Sequence, residues 1–341
     1  MYAVSADILD LFFVPGDRRT YLIYIYTRKD KMAQIVANLV FLKERMNDND
    51  VTLTELFLAS SRIGAVGAIH LGMALQHNTC LTLICLCTNN IGDVGATALG
   101  GGLQHNTALT KLCLNSNNIG DVGVTALGVA LQHNTTLTEL HLDSNNIGAE
   151  GATTLRVALQ HNTTLTVLYL SSNKIGDEGA TTLGVALQRN TNLTRLVLDN
   201  NNIGDAGATA LGVALLHNTT LTKLYLRHNC IGCKGATDLG YALKKNFTLR
   251  RLRLAHNYFG AEEKASIYRI NRVRDQLILI QNQYWMPYVH VDFPYQCHQI
   301  IMATLLCNRN GNVTEQIPLL PDHLWHFIFS FWQRKIFFGY I

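Results

Sequence analysis

From residue 53 onward the chain repeats itself every 28 residues, and this period limits the fold more than any other feature. The segment LTKLCLNSNNIGDVGVTALGVALQHNTT (109–136) is followed by LTELHLDSNNIGAEGATTLRVALQHNTT (137–164). Units begin at Leu53, Leu81, Leu109, Leu137, Leu165, Leu193, Leu221 and Leu249, so eight units fill 53–276. A unit this short cannot bury its own apolar face. It does so by stacking on its neighbours, which makes a solenoid.

Each unit has two halves. Leu112 and Leu114 alternate with outward residues, the pattern of a short strand. Val124, Leu127, Ala130 and Leu131 follow at helical spacing. Strand and helix alternate, so the strands are expected to be parallel with right-handed crossovers, an α/β fold. Asp93, Asp121, Asp177 and Asp205 fall just before this helix, where a carboxylate can cap the first-turn N–H groups. The Asn117 column recurs at Asn89, Asn145, Asn173, Asn201, Asn229 and Asn257, and a ladder of hydrogen-bonded amides is expected there. The first unit carries Ser61 in that column. The last has Phe259 for Ile and Glu263 for Gly, as capping units require. Gly100, Gly101 and Gly102 fall inside one helix, at roughly 1 kcal/mol each against Ala, so that helix is expected to be the least stable.

LxxLxLxxNxIG at this period resembles the ribonuclease-inhibitor class of leucine-rich repeats, with phrasing similar to the repeat regions of NOD-like receptors. The resemblance implies a leucine-rich-repeat horseshoe, with parallel strands on the concave face and helices on the convex face. It implies binding rather than catalysis. No GxxxxGK[ST] run is present, so the nucleotide-binding module of a NOD-like receptor is absent from this sequence.

Three outward columns follow from the strand register. One is Glu55, Leu83, Lys111, Glu139, Val167, Arg195, Lys223, Arg251. The next is Phe57, Cys85, Cys113, His141, Tyr169, Val197, Tyr225, Arg253. The third is Ala59, Cys87, Asn115, Asp143, Ser171, Asp199, Arg227, Ala255. These columns vary while the Leu and Asn columns do not: packing fixes the scaffold and leaves the face free. Units 53–164 carry three basic and six acidic residues, a net −3; units 165–276 carry fifteen and eight, a net +7. Tyr and Arg are frequent binding hot spots. Tyr169, Arg195, Lys223, Tyr225, Arg227, Arg251 and Arg253 are therefore the candidate partner-binding residues, and a protein with an acidic patch is the expected partner. A solvated end of a weakly charged scaffold is the alternative. The overall charge of +4 gives no warrant for nucleic acid or membrane binding.

Hidden chemistry is sparse. Cys85, Cys87, Cys113 and His141 approach one another on neighbouring strands, but their side chains run parallel rather than converging on a zinc ion. Cys230 and Cys233 form a lone CxxC without a redox context. His77, His105, His133, His161 and His217 suit the last helical turn; a pH-sensing stripe is the alternative. No GxSxG, HExxH or GxGxxG occurs, and neither an enzyme nor a metal or other cofactor is expected. Six Asn-x-Thr sequons occur, and four of them (Asn134, Asn162, Asn218, Asn246) recur at one repeat position, as copies of a loop consensus.

Hydrophobic residues make up 48% of the 341 residues and charged residues 15%, enough for a large core and unlike a disordered chain. No apolar run reaches 18 residues, so no transmembrane helix is expected. Asp7 and Asp10 interrupt the first apolar stretch, against a secretory signal. Eight thinly spread cysteines then read as reduced thiols in a monomeric cytoplasmic protein.

The flanks differ from the array. Residues 1–52 hold two apolar runs around Pro15-Gly16-Asp17, expected to form a hairpin, and a helix over 31–47 expected to cap the core. Residues 277–341 are richer in aromatics and read as a separate helical cap. Within them, Leu320-Pro321-Asp322-His323-Leu324-Trp325 and Ile328 resemble the start of an F-box. That resemblance implies docking of a ubiquitin-ligase adaptor through Leu320, Pro321, Leu324, Trp325 and Ile328. It covers about a third of a full box, and the usual order of box and repeats is reversed. A third class, a GTPase-activating protein, is implied only by the Ran activator's sharing this repeat type.

Overall fold

The computed structural model describes residues 11–15, 21–25, 46–51 and 53–260. Among the described residues, ten strands form one sheet in sequence order. β1 (Leu11–Pro15) and β2 (Tyr21–Ile25) pair antiparallel, the strand pairing expected of the two apolar runs. β2 then pairs in parallel with β3 (Glu55–Phe57), so this segment extends the repeat sheet. The helix expected over 31–47 lies largely outside the described residues, as does all of 277–341.

After β3 the units alternate strictly: α1 (Gly64–Leu75), β4 (Leu83–Cys85), α2 (Gly92–His105), β5 (Lys111–Cys113), α3 (Asp121–His133), β6 (Glu139–His141), α4 (Ala149–His161). The series continues with β7 (Val167–Tyr169), α5 (Gly176–Leu187), β8 (Arg195–Val197), α6 (Asp205–His217), β9 (Lys223–Tyr225), α7 (Cys233–Lys245) and β10 (Arg251–Arg253). Neighbouring strands pair in parallel with a shift of one unit, Lys111 opposite Leu83 and Glu139. The chain is thus an α/β leucine-rich-repeat solenoid. Helices need about 8–10 Å between axes and strands about 4.8 Å, so the array bends with its strands inside.

One apolar core runs the length of the array. Leu109, Leu112, Leu114 and Ile119 meet Val124, Leu127, Ala130 and Leu131 of the same unit, and each neighbouring unit repeats the set. Burying each Leu is worth roughly 1.5–3 kcal/mol over leaving it exposed.

Two asparagine ladders close the loops. Asn117 Oδ1 accepts the N–H of Asn89 (2.9 Å), and its Nδ2 donates to the carbonyl of Leu86 (2.8 Å), both one unit back. The second ladder, Asn78 to Asn246, closes the helix-to-strand turn. Asn134 Oδ1 accepts the N–H of Leu137 (2.8 Å), while Nδ2 donates to the carbonyls of Leu103 (2.9 Å) and Asn106 (3.0 Å). The sequon residues Asn134, Asn162, Asn218 and Asn246 are members of this ladder, so in the folded chain their amides are buried and engaged. A threonine ladder at the strand entrance adds Thr110 Oγ1 to the carbonyl of Thr82 at 2.9 Å.

The aspartates do not cap their own helices. Asp93 lies inside the first turn of α2, and its Oδ1 accepts the N–H groups of Gly120 (2.7 Å) and Gly123 (2.9 Å) at the start of α3. Asp121, Asp177 and Asp205 serve α4, α6 and α7 in the same way. Stacking sets each helix start beside the first turn of its predecessor, within reach of a short carboxylate.

The glycine triplet in α2 has a packing role beside its low helix propensity. A Cβ on Gly102 would lie 2.2 Å from the carbonyl oxygen of Gly72, and one on Gly100 would lie 2.9 Å from that of Ala126. Both glycines mark places where α2 touches its neighbours. Only Gly101 faces open space.

Candidate protein-binding face

The face of the sheet opposite the helices carries the three outward columns in register. The middle residue of each strand β3–β10 is buried and the flanking ones are mostly partly exposed, because the pleat turns alternate side chains outward.

The face divides into two electrostatic halves. Toward the N-terminus, Lys111 Nζ lies 3.0 Å from Glu139 Oε2, and His141 Nε2 lies 3.3 Å from the same oxygen. Burial raises the Glu139 carboxyl, but the hydrogen bonds from Lys111 and His141 outweigh it and hold the group below its ordinary range. The hydrogen bond to Glu139 raises Lys111. Burial lowers His141 despite Glu139, so its imidazole tends to be neutral. Its ring packs 4.3 Å from that of Tyr169. Charge is locally balanced here.

Toward the C-terminus it is not. Arg195, Lys223 and Arg251 stand in register on β8, β9 and β10. Arg195 Nη1 donates to Tyr169 Oη at 2.8 Å, and the Arg253 guanidinium sits 4.8 Å from the centre of the Tyr225 ring. Val197, in register between the two tyrosines, is buried. Asp199 Oδ1 accepts the backbone N–H of Arg227 at 2.7 Å, fixing the chain just beyond β9. Burial raises the Asp199 carboxyl in spite of that bond. Among the described residues, no carboxylate pairs with Arg195, Lys223, Arg227, Arg251 or Arg253.

All seven residues expected to bind a partner therefore lie on one continuous face, with two of the pairs in direct contact. Sequence reading missed Asp199 as an organiser, since a carboxylate among cations reads as charge rather than as a backbone acceptor. The adaptor-binding residues Leu320, Pro321, Leu324, Trp325 and Ile328 lie outside the described residues. Among the described residues, no group of three or more His, Cys, Asp or Glu is placed to hold a metal ion. No helix among them is long and apolar enough to cross a membrane.

The Leucine Rich repeat family matches five segments of the chain, residues 105–128, 133–155, 161–184, 189–212 and 217–240. A comparison with curated proteins gave no match. Among solved structures, the chain is similar to actin-binding site 2 of leiomodin-1, with 25% identity over 46% of this chain and 95% of that one and a TM-score of 0.39. It is also similar to an internalin of Listeria monocytogenes strain 4b F2365, with 19% identity over 66% of this chain and 67% of that one and a TM-score of 0.40.

Proposed function

We propose that this leucine-rich-repeat solenoid is a non-catalytic scaffold that binds a partner protein on its concave face, through an acidic patch on that partner. One observation carries the reading: among the described residues, five cations gather on and beside β8–β10 without a salt bridge to a carboxylate, Asp199 alone lying close enough to act on Arg227 and Arg253, while Lys111 on β5 has such a bridge. Like charges about 4.8 Å apart repel by roughly 1 kcal/mol in a water-like dielectric. An acidic partner removes that repulsion. Tyr169 and Tyr225 supply rigid apolar area beside the cations, with Arg195 and Arg253 already held against them. The repeats are of the ribonuclease-inhibitor type in this reading.

The test compares the full chain with the triple variant Arg195→Glu/Lys223→Glu/Arg251→Glu as bait in eukaryotic lysate, with elution by a salt gradient. The wild type is expected to retain a protein that high salt releases and the triple variant does not hold. Equal retention by both chains refutes the reading.

Leu320–Trp332 supports a second reading, that the array selects a substrate for a ubiquitin ligase. A chain ending at Gln316 separates the two: loss of a cullin-ligase adaptor with the tail favours the receptor, and an unchanged set of partners favours the scaffold alone.

A further inference from the structure

Three thiols meet on the N-terminal half of the same face, apart from the basic cluster. Cys85 on β4 stands in register with Cys113 on β5. The sulfur of Cys85 is 3.6 Å from that of Cys87, two residues along the chain. Cys85 thus lies between the other two, hydrogen-bonded to Cys87 and directly across from Cys113. Cys85 and Cys87 are half-buried, whereas Cys113 is only 7% exposed.

The arrangement is asymmetric. Cys85 is the sulfur between the other two, and its contacts with Cys113 and then Cys87 lower its pKa. The same contacts, and then burial, push the Cys87 and Cys113 thiols up. The two flanking thiols thus favour ionisation at Cys85 over ionisation at Cys87 or Cys113. Hydrogen-bonded thiolates are the reactive form of cysteine.

We propose that Cys85, Cys87 and Cys113 form a hydroperoxide-reactive site, in which Cys85 is oxidised and is then joined to Cys113 by a disulfide across β4 and β5. The Cys85 thiolate attacks one oxygen of the peroxide. The O–O bond breaks, the departing oxyanion takes a proton from water, and Cys85 becomes a sulfenic acid. The Cys113 sulfur, giving its proton to water, attacks the Cys85 sulfur. The S–O bond breaks, hydroxide leaves and is protonated, and an S–S bond forms. The two electrons lost by the thiols reduce the peroxide. Cys113 is the resolving partner because adjacent strands lie about 4.8 Å apart, inside the Cα range a disulfide accepts. Cys85 and Cys87 are separated by about 6.6 Å of strand, at the edge of that range. Burial keeps peroxide from Cys113 but leaves it open to its neighbour's sulfenic acid.

The full chain is treated with limiting hydrogen peroxide, its remaining thiols are alkylated, and it is digested with trypsin. Cleavage after Arg62, Lys111 and Arg156 places Cys85 and Cys87 in peptide 63–111 and Cys113 in peptide 112–156. A linked 63–111/112–156 pair, with Cys85 as its bridging residue in fragmentation, is the expected product. Cys85 should oxidise about tenfold faster than the exposed Cys230 and Cys233, which serve as references within the same molecule. In Cys113→Ser, a dimedone adduct should accumulate on Cys85. Faster oxidation of Cys230 and Cys233, or a disulfide confined to 63–111, overturns the proposal. The wild-type comparison stands whether or not the variant folds.

Discussion

The carboxylate of Asp93 decides the backbone conformation of Gly120, 27 residues away. In the six helices α2–α7, the residue 27 positions before the helix-opening glycine is either Asp or Ala. Where it is Asp, as before Gly120, Gly148, Gly204 and Gly232, that glycine is extended, with φ between −92° and −103°. Where it is Ala65 or Ala149, Gly92 and Gly176 take φ of +62° and +61°. The hydrogen bonds change with it. The N–H of Gly92 donates forward to the carbonyl of Asn117, whereas that of Gly120 donates back to Asp93. The Ile119 carbonyl is then free to accept the N–H of Asn146 at 2.7 Å, and Asn146 leaves the positive φ that Asn90, Asn118 and Asn202 keep. One carboxylate thus sets the loop geometry of the two units that follow.

Asp93→Ala should therefore turn Gly120 to positive φ and cost about 1 kcal/mol, the usual worth of a capping carboxylate. A crystal structure and urea denaturation check the two halves of this expectation. In the reverse direction, Gly92→Ala should cost about 1–2 kcal/mol, because an L-residue resists that left-handed conformation. Adding Ala65→Asp should recover most of the loss. If the double variant is no more stable than Gly92→Ala, the aspartate does not control the turn.

Asn117→Ala should cost roughly 3 kcal/mol, since buried donors and acceptors on two units lose their partners together. Asn117→Asp keeps the acceptor but sets a buried carboxylate against the Leu86 and Asn115 carbonyls, so its midpoint of denaturation should gain on that of the alanine variant as the pH falls and the carboxylate is protonated.

Within α2, alanine should act in opposite directions one residue apart. Gly101→Ala meets no atom within 4 Å and should stabilise by about 0.5–1 kcal/mol through helix propensity. Gly102→Ala drives a methyl into the Gly72 carbonyl and should destabilise by about 1–3 kcal/mol. Thermal unfolding of the two variants gives the comparison.

His141 gives the face a pH dependence. Burial lowers its folded pKa below the unfolded value of about 6.5, so the unfolded chain binds the proton more readily. Stability is present above that value and is lost as pH falls through the folded pKa. His141→Gln should therefore show a smaller drop in melting temperature than the wild type between neutral and mildly acidic pH. Parallel curves for the two proteins count against it.

A solenoid maps sequence onto space almost linearly, so the period, the leucine columns and the face residues Tyr169 to Arg253 were legible without coordinates. Contacts at a spacing of 28 follow from the period itself. The role of Asp93 was hidden because capping rules look to a residue's own helix, and its partners belong to the next one. Gly92 and Gly120 occupy the same column with opposite backbones, and nothing within either unit separates them. The second asparagine ladder was masked by its resemblance to glycosylation sequons. The glycines of α2 read as a weakness because propensity is local, while the close approach of α1 that needs Gly102 is not.

The asparagine amides that reach back one unit give the array a grain. Each unit carries the hook for the unit before it, and an eye for the one after. Adding or removing whole 28-residue links leaves every remaining joint with a matching half, so such a chain can lengthen by duplication without redesign. A link of 27 or 29 residues would miss both asparagine ladders at once, which makes length within a unit rigid and the number of units elastic.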